Sequence, residues 1–380
     1  MLKLRQVDVM TVVLPFRITF RHALASRSEG EVIVVRATDT EGRVGFGESV
    51  PRDYVTGETI ATVRETLRQV LVPPLLGVSF FSFDEITANL KHFLESLPRN
   101  QHAAFCALEL SLLDLAGKVF GRPAGSVAGK TESPEVRYSG IISADGVEAA
   151  LALCKKAAAL GLRDVKVKVG LSAEADREIL SGARRILGEK CSMRIDANCA
   201  WKPEDALKYL EAYAPIRLDG VEQPIAHDDI DGLAWLTRRS PIPVIVDESL
   251  ASFDDGRLLI EKEACHIFNI RISKCGGLLA SCRLRDLARE GGVGFMLGAH
   301  VGETAILSAA GRLFATRSPD LRFCEGSFGS YLLEHDIGVQ DLTFGRGGKA
   351  AAINGNGLGV EVDEERLESL IRDRITLEGT

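Results

Sequence analysis

Five charged residues at nearly constant spacing, Lys168, Asp196, Glu222, Asp247 and Lys274, constrain the fold of this chain more than any other feature. The steps between them are 28, 26, 25 and 27 residues, which is the length of one strand, one helix and their loops in a parallel α/β structure. Each residue closes or follows a short apolar run, namely 164–169, 193–195, 218–221, 243–246 and 267–273. A loop and a helical pattern come after each run, so the charged residues sit at strand C-termini. In a (β/α) barrel all such ends share one face, and two lysines with three carboxylates converge on one pocket.

A chain of 380 residues is long enough for two domains, or for a barrel with an added piece. Its formal charge of -7, without a block of like charge, argues against nucleic acid or an anionic membrane as partner and favours a small molecule. The eight cysteines form no CxxC pair and are scattered through helical and strand patterns, so they read as reduced core residues and point to the cytoplasm. The N-terminus does not read as a signal peptide, and no apolar run approaches the length of a membrane span.

The first fifty residues read as strands over 4–13 and 31–38, with a hairpin turn at Asp39, Thr40, Glu41 and Gly42 before 43–47. Helical periodicity follows over 62–72, 82–97 and 100–120. Strands before helices suggest a separate α+β domain of residues 1–130. From 131 to 340 the order becomes alternation: a strand over 137–142, a helix over 147–159, the ladder, a helix over 303–316 and a last strand near 322–324. About eight strands and seven helices make a complete barrel. Residues 341–380, Gly-rich and then helical, are expected to pack back on the first domain.

Side chains at i and i+2 of a strand share a face, so Lys166 and Lys168 both point into the barrel. Two neighbouring buried amines are expected to lower at least one lysine pKa from about 10.4 toward a general base's range. Asp196, Glu222 and Asp247 offer three hard oxygen ligands, the chemistry of Mg²⁺, with Mn²⁺ as the alternative occupant of the same site, rather than of zinc or copper. Asn198 and Glu248 are placed to orient those ligands. Lys274 lies across the barrel from Lys168. Opposed lysines suit removal of a proton from a carbon next to a carboxylate and its return on the other face, with a divalent ion and Lys166 stabilising the enediolate.

The stretches Lys166-Val167-Lys168, Asp196-Ala197-Asn198, Glu222-Gln223-Pro224, Asp247-Glu248 and Ser273-Lys274-Cys275-Gly276-Gly277, with Gly45-Phe46-Gly47-Glu48 before them, resemble the enolase superfamily in its mandelate racemase/muconate-lactonizing branch. The resemblance implies a modified (β/α)7β TIM barrel with an α+β N-terminal capping domain, and a homo-oligomer. It implies Asp196, Glu222 and Asp247 as Mg²⁺ ligands, Lys168 and Lys274 as the acid/base pair, and Lys166 as electrostatic helper. It also implies a mobile loop of the capping domain over residues 17–30, whose Arg21 and His22 are candidate substrate contacts.

Dipeptide epimerases of this branch resemble one another in an Asp-x-Asp pair at the end of the last strand. Here the corresponding stretch is Cys324-Glu325-Gly326-Ser327-Phe328-Gly329, which leaves Glu325 as a candidate substrate contact. His300 reads as a pocket-lining residue and Glu303 as the start of a helix, and both are candidate substrate contacts. The leading expectation is a Mg²⁺-dependent isomerase, a racemase, epimerase or cycloisomerase, acting on a small carboxylate. A dehydratase or other carbon–oxygen lyase of the same superfamily and a non-catalytic ligand-binding barrel are the alternatives.

Overall fold

The computed structural model describes residues 1–22 and 25–379, without the side chains of residues 18–27. Strands β1 (Leu2–His22), β2 (Ala25–Asp39) and β3 (Val44–Ser49) form an antiparallel meander, and β4 (Ser79–Phe80) pairs with the start of β1. Val32, Ile33, Val34 and Val35 are all fully buried, as a continuous β-branched run demands when both faces of a strand are covered. The backbone of the segment expected as a loop over 17–30 is extended, with Phe20, Arg21 and His22 paired to Arg27, Ser26 and Ala25. Residues 23 and 24 of that segment, and the side chains of Arg21 and His22, lie outside the described residues.

Helices Ile60–Thr66, Phe83–Glu95 and His102–Phe120 cover this sheet. Thr59 and Ser82 start the first two by accepting the amides of Thr62 and Glu85. A Cβ on Gly45 would lie 2.3 Å from Ser111 O, and one on Gly47 2.0 Å from Ala107 O. Only glycine allows β3 and the buried helix to touch backbone to backbone, which carries Glu48 to the edge of the barrel.

After β5 (Glu135–Arg137), strands β6 (Gly140–Ile142), β7 (Asp164–Lys168), β8 (Ser192–Asp196), β9 (Gly220–Glu222), β10 (Val244–Val246), β11 (Ile267–Arg271) and β12 (Gly294–Gly298) form one parallel sheet in sequence order. Helices alternate with them from Val147–Leu160 to Ala305–Ala315. The eighth position is filled by residues 322–325, which bridge the two edges without forming a full strand. Leu297 N donates to Phe323 O (3.0 Å), Glu325 N to Leu297 O (2.8 Å) and Ser139 N to Cys324 O (2.7 Å).

Two expectations are corrected. The strand expected over 137–142 is two strands, because Tyr138 N donates to Gly348 O (2.7 Å) while Ser139 N donates to Cys324 O, turning consecutive amides to different partners. β5 therefore pairs with β13 (Lys349–Ala351) rather than with the barrel. In the tail expected to be helical, the helix ends at Leu370 and residues Ile371–Glu378 form β14, antiparallel to β1. Ile371, Ile375 and Leu377 alternate with polar residues there, and period two overrides the helical reading. Among the described residues no helix is long and apolar enough to cross a membrane.

Candidate active site

The parallel register aligns the ladder. Lys168 is the Cα partner of Asp196, and Asp196 is the partner of Glu222, while Asp247 directly follows β10 and Lys274 stands just beyond β11. Three carboxylates thus form a row across β8, β9 and β10, with Lys168 at one end and Lys274 at the other. Lys166, Asp196, Glu222, Asp247 and Lys274 are all buried.

Each amine has its own acceptors. Lys168 donates to Asp196 Oδ2 (2.6 Å) and Asn198 Oδ1 (2.6 Å). Lys166 donates to both Glu222 oxygens (3.1 and 3.0 Å) and to Glu325 Oε2 (2.8 Å), and lies 3.3 Å from Asp196 Oδ2. Lys274 donates to Asp247 O (2.6 Å), Asp247 Oδ1 (2.8 Å) and Asn269 O (3.0 Å). The expected downward shift does not occur at Lys166. Burial acts in that direction, but Glu222, Glu325 and Asp196 outweigh it and the net shift is upward. Asp196 shows the converse: burial opposes its ionisation, yet Lys168 and Lys166 hold it below the usual carboxylate range.

Asn198 takes a left-handed backbone (φ 44°) that lets its side chain accept from Lys168 while donating to Glu248 Oε1 (3.2 Å). Glu248 Oε2 is buried with no hydrogen-bond partner, and burial followed by Asp247 pushes its pKa up to about 7. Gln223 Oε1 accepts the amides of Asp247 (3.0 Å) and Ser249 (3.2 Å), fixing the turn that aims Asp247.

Glu325 does reach the site, but both its oxygens are engaged, one by Lys166 and the other by Arg194 Nη2 (2.7 Å). His300 is buried beside the same cavity, its Nδ1 without a hydrogen-bond partner and 3.8 Å from Glu303 Oε1. Burial, then Arg271, Arg52 and Lys274, hold its pKa well below 6.5. Glu303 does not begin a helix. Thr304 is the N-cap of Ala305–Ala315, and the Glu303 carboxylate accepts His300 N (2.7 Å) instead.

Three basic residues of the site escaped the sequence reading. Arg271 contacts Asp247 Oδ2 and lies 3.5 Å from Glu222 Oε1. Its signal was present in Asn269 and Arg271, alternate polar residues in an otherwise apolar strand and therefore inward-facing. Arg194 on β8 is fully buried, paired to Asp164 Oδ1 (2.6 Å) and stacked 4.1 Å from the Phe323 ring. Arg52, from the loop after β3, donates to Val301 O (2.9 Å), and only the folded chain brings it to the barrel.

A cavity of about 240 Å³ opens at this end of the strands. Its lining combines Lys166, Lys168, Asn198, Glu248, Arg271, Arg52 and His300 with an apolar set, Tyr54, Ile141, Phe328, Tyr331 and Leu332. A larger hollow of about 320 Å³ lies at the opposite ends of the strands, beside Arg137, Arg163 and Arg322, away from the ladder and from the barrel face that carries chemistry.

Among the described residues no three carboxylate, imidazole or thiol groups are gathered as a ready cation cage, because Lys166 and Arg271 stand among the carboxylates. The donor set nevertheless fits Mg²⁺. It consists of hard oxygens from three adjacent strands, with the unpartnered Glu248 Oε2 beside them.

Residues 4–129 match the family model of the mandelate racemase/muconate lactonizing enzyme N-terminal domain, and residues 149–366 match the enolase C-terminal domain-like model. The chain belongs to this family of the enolase superfamily. Among its relatives, the N-succinyl-L-Arg/Lys racemase of Bacillus cereus is 28% identical over 97% of this chain and 98% of its own length. The crystal structure of that racemase superposes with a TM-score of 0.91 over 99% of this chain and all of its own. A dipeptide epimerase from Enterococcus faecalis, solved with Mg and the dipeptide L-Leu-L-Tyr, gives a TM-score of 0.86 at 26% identity over 94% of this chain and 99% of its own. Muconate cycloisomerase 1 of Acinetobacter baylyi is 25% identical over 97% of this chain and 99% of its own. These members of the family are all isomerases.

Proposed function

We propose that the chain is a Mg²⁺-dependent isomerase that removes a proton from the carbon α to a substrate carboxylate and returns one to that carbon. The observation that carries this reading is the placement of Lys168 and Lys274 at opposite ends of one carboxylate row. Asp196, Glu222 and Asp247 would hold the ion, and Asn198 and Glu248 would orient them. When bound, the ion supplies positive charge to the substrate carboxylate as its second negative charge develops. Lys166, buried and charged, stabilises the same enediolate. One of Lys168 and Lys274 takes the α-proton and the other, as an ammonium, delivers a proton from the opposite side. Racemisation, epimerisation and cycloisomerisation, the reactions in the relatives' names, share this first step.

The cavity supports an uncharged or anionic distal group. Part of its lining is apolar, Arg52 adds a cation, and Glu325 is committed to Lys166 and Arg194 rather than open to a substrate ammonium. N-acyl amino acids and unsaturated diacids fit that description. Elimination with His300 as proton donor is disfavoured, since its depressed pKa keeps it neutral. The division at residues 130 and 340 belongs to the same reading, supported by the pairing of β14 with β1. So does a cytoplasmic homo-oligomer, for which the unpaired cysteine thiols support a reducing compartment.

The test is deuterium incorporation from D₂O at the α-carbon, with Mg²⁺, across N-acyl amino acids, dipeptides and unsaturated diacids. Exchange in one class, with Lys168→Ala and Lys274→Ala each losing it for one enantiomer and keeping it for the other, is the expected result. Full activity in both variants would contradict the assignment.

A further inference from the structure

Lys274 stands in a one-turn helix, Ile272–Cys275, between β11 and the helix Gly277–Glu290. Three contacts from the capping region reach this turn and the residues just after it. Val50 N donates to Ser273 Oγ (2.9 Å). His102 packs on Gly276, where a Cβ would sit 3.4 Å from His102 Cγ. Glu109, fully buried in the middle of the His102–Phe120 helix, accepts the amides of Leu278 (2.8 Å) and Leu279 (2.8 Å). These are early amides of Gly277–Glu290, which have no acceptor within their own helix.

Glu109 also accounts for a glycine. Gly277 has φ +95°, and a Cβ there would fall 2.3 Å from Glu109 Oε2, so no other residue leaves room for the carboxylate. Glu109 and the Gly-Gly pair that follows Lys274-Cys275 are two halves of one joint between cap helix and barrel helix. A carboxylate at a helix N-terminus is favoured by the unpaired amides and the helix dipole together.

Lys168 has a comparable joint, but it lies within the barrel. Asp176, in the helix Ala173–Leu187, accepts the amides of Gly170 (2.8 Å) and Leu171 (3.3 Å), just after Lys168. Each acid/base lysine is thus followed by a chain segment that a buried carboxylate secures. One carboxylate comes from the next barrel helix and the other from the capping domain.

We propose that Glu109 is a positioning residue for Lys274, so that the capping domain fixes one of the two proton-transfer groups while the barrel alone fixes the other. Glu109 does not line the cavity; it acts by holding the Gly276–Leu279 joint, and through that joint the one-turn helix that presents the Lys274 amine. The proposal rests on the reading of Lys168 and Lys274 as opposed acid and base.

The test follows α-deuterium wash-in for each enantiomer of an N-acyl amino acid separately, in the full-length protein with Mg²⁺, the face served by Lys274 being identified with Lys274→Ala. Glu109→Gln keeps one carbonyl acceptor and Glu109→Ala keeps none. Exchange of the enantiomer served by Lys274 should fall by about 10- to 100-fold, further in the alanine variant than in the glutamine variant, with KM little changed. The other enantiomer should stay within about twofold of wild type, whereas Asp176→Asn should slow that enantiomer instead. Equal slowing of both enantiomers by Glu109→Gln, or no slowing of either, would overturn the proposal.

A second readout needs no substrate. Reductive methylation with ¹³C-formaldehyde, read by NMR, should label Lys274 about tenfold faster in Glu109→Ala, or in Glu109→Gln if the alanine variant does not fold, with Lys168 unchanged. Unchanged labelling of Lys274 would overturn the proposal. An absence of exchange in the wild type with every substrate would contradict only the underlying acid/base reading, and the labelling would still decide the role of Glu109.

Discussion

Lys168 and Lys274 face one row of carboxylates from opposite ends, yet the Lys168 side chain keeps 19% of its surface exposed and that of Lys274 none. Lys168 is held by two side chains, Asp196 and Asn198. Lys274 is held by two backbone carbonyls and one carboxylate oxygen, and the segment around it is clamped from the capping domain. The difference teaches that chemical symmetry at the site is built from unequal supports. A side chain bonded to side chains retains rotamer freedom, whereas one bonded to a buried backbone is as rigid as the fold.

The comparison can be broken from either end. Lys168→Ala and Lys274→Ala should each cost about 10²- to 10⁴-fold in turnover, the usual contribution of a positioned acid or base, as measured by polarimetry on either enantiomer. Removal of Mg²⁺ with a chelator should abolish exchange on both faces equally, and re-addition should restore it. A residual exchange confined to one face would show that the carboxylate row does not serve both lysines.

Smaller changes sharpen the contrast. Ser273→Ala leaves the buried Val50 amide without its acceptor, and should destabilise the protein by about 1–3 kcal/mol in urea titrations while slowing only the face served by Lys274. A further expected effect is one of pH. Burial raises the Glu109 pKa from 4.5 to about 8 against the pull of the Leu279 and Leu278 amides. Its contribution to stability is therefore fully present below about 4.5 and lost as pH rises through about 8. Relative to Glu109→Gln, the wild type should lose stability across that window and remain level above it, as followed by denaturant titration at each pH.

Much of this was legible in the chain. Apolar runs ending in charge at barrel-repeat spacing located β7 to β11 and the residues at their ends, because strand alternation and repeat length are local properties. The unread parts depend on tertiary partners. Lys166 was expected to lose its proton more easily because Lys168 lies two residues away, but three carboxylates from β8, β9 and residue 325 reverse the balance. Arg271 was hidden by treating 267–273 as uniformly apolar. Arg52 and Glu109 carry no local signature, since one reaches the cavity and the other the Gly276–Leu279 joint only when cap and barrel dock. β14 was misread because a seven-residue helix (Glu364–Leu370) precedes it without a break.

The most direct test of two lysines working from opposite faces is solvent deuterium incorporation into single enantiomers by Lys168→Ala and Lys274→Ala in the presence of Mg²⁺. Each variant should still exchange one enantiomer and fail on the other, with the preference inverted between the two variants. If both variants lose the same enantiomer, or if each still interconverts both, the opposed-lysine account is wrong.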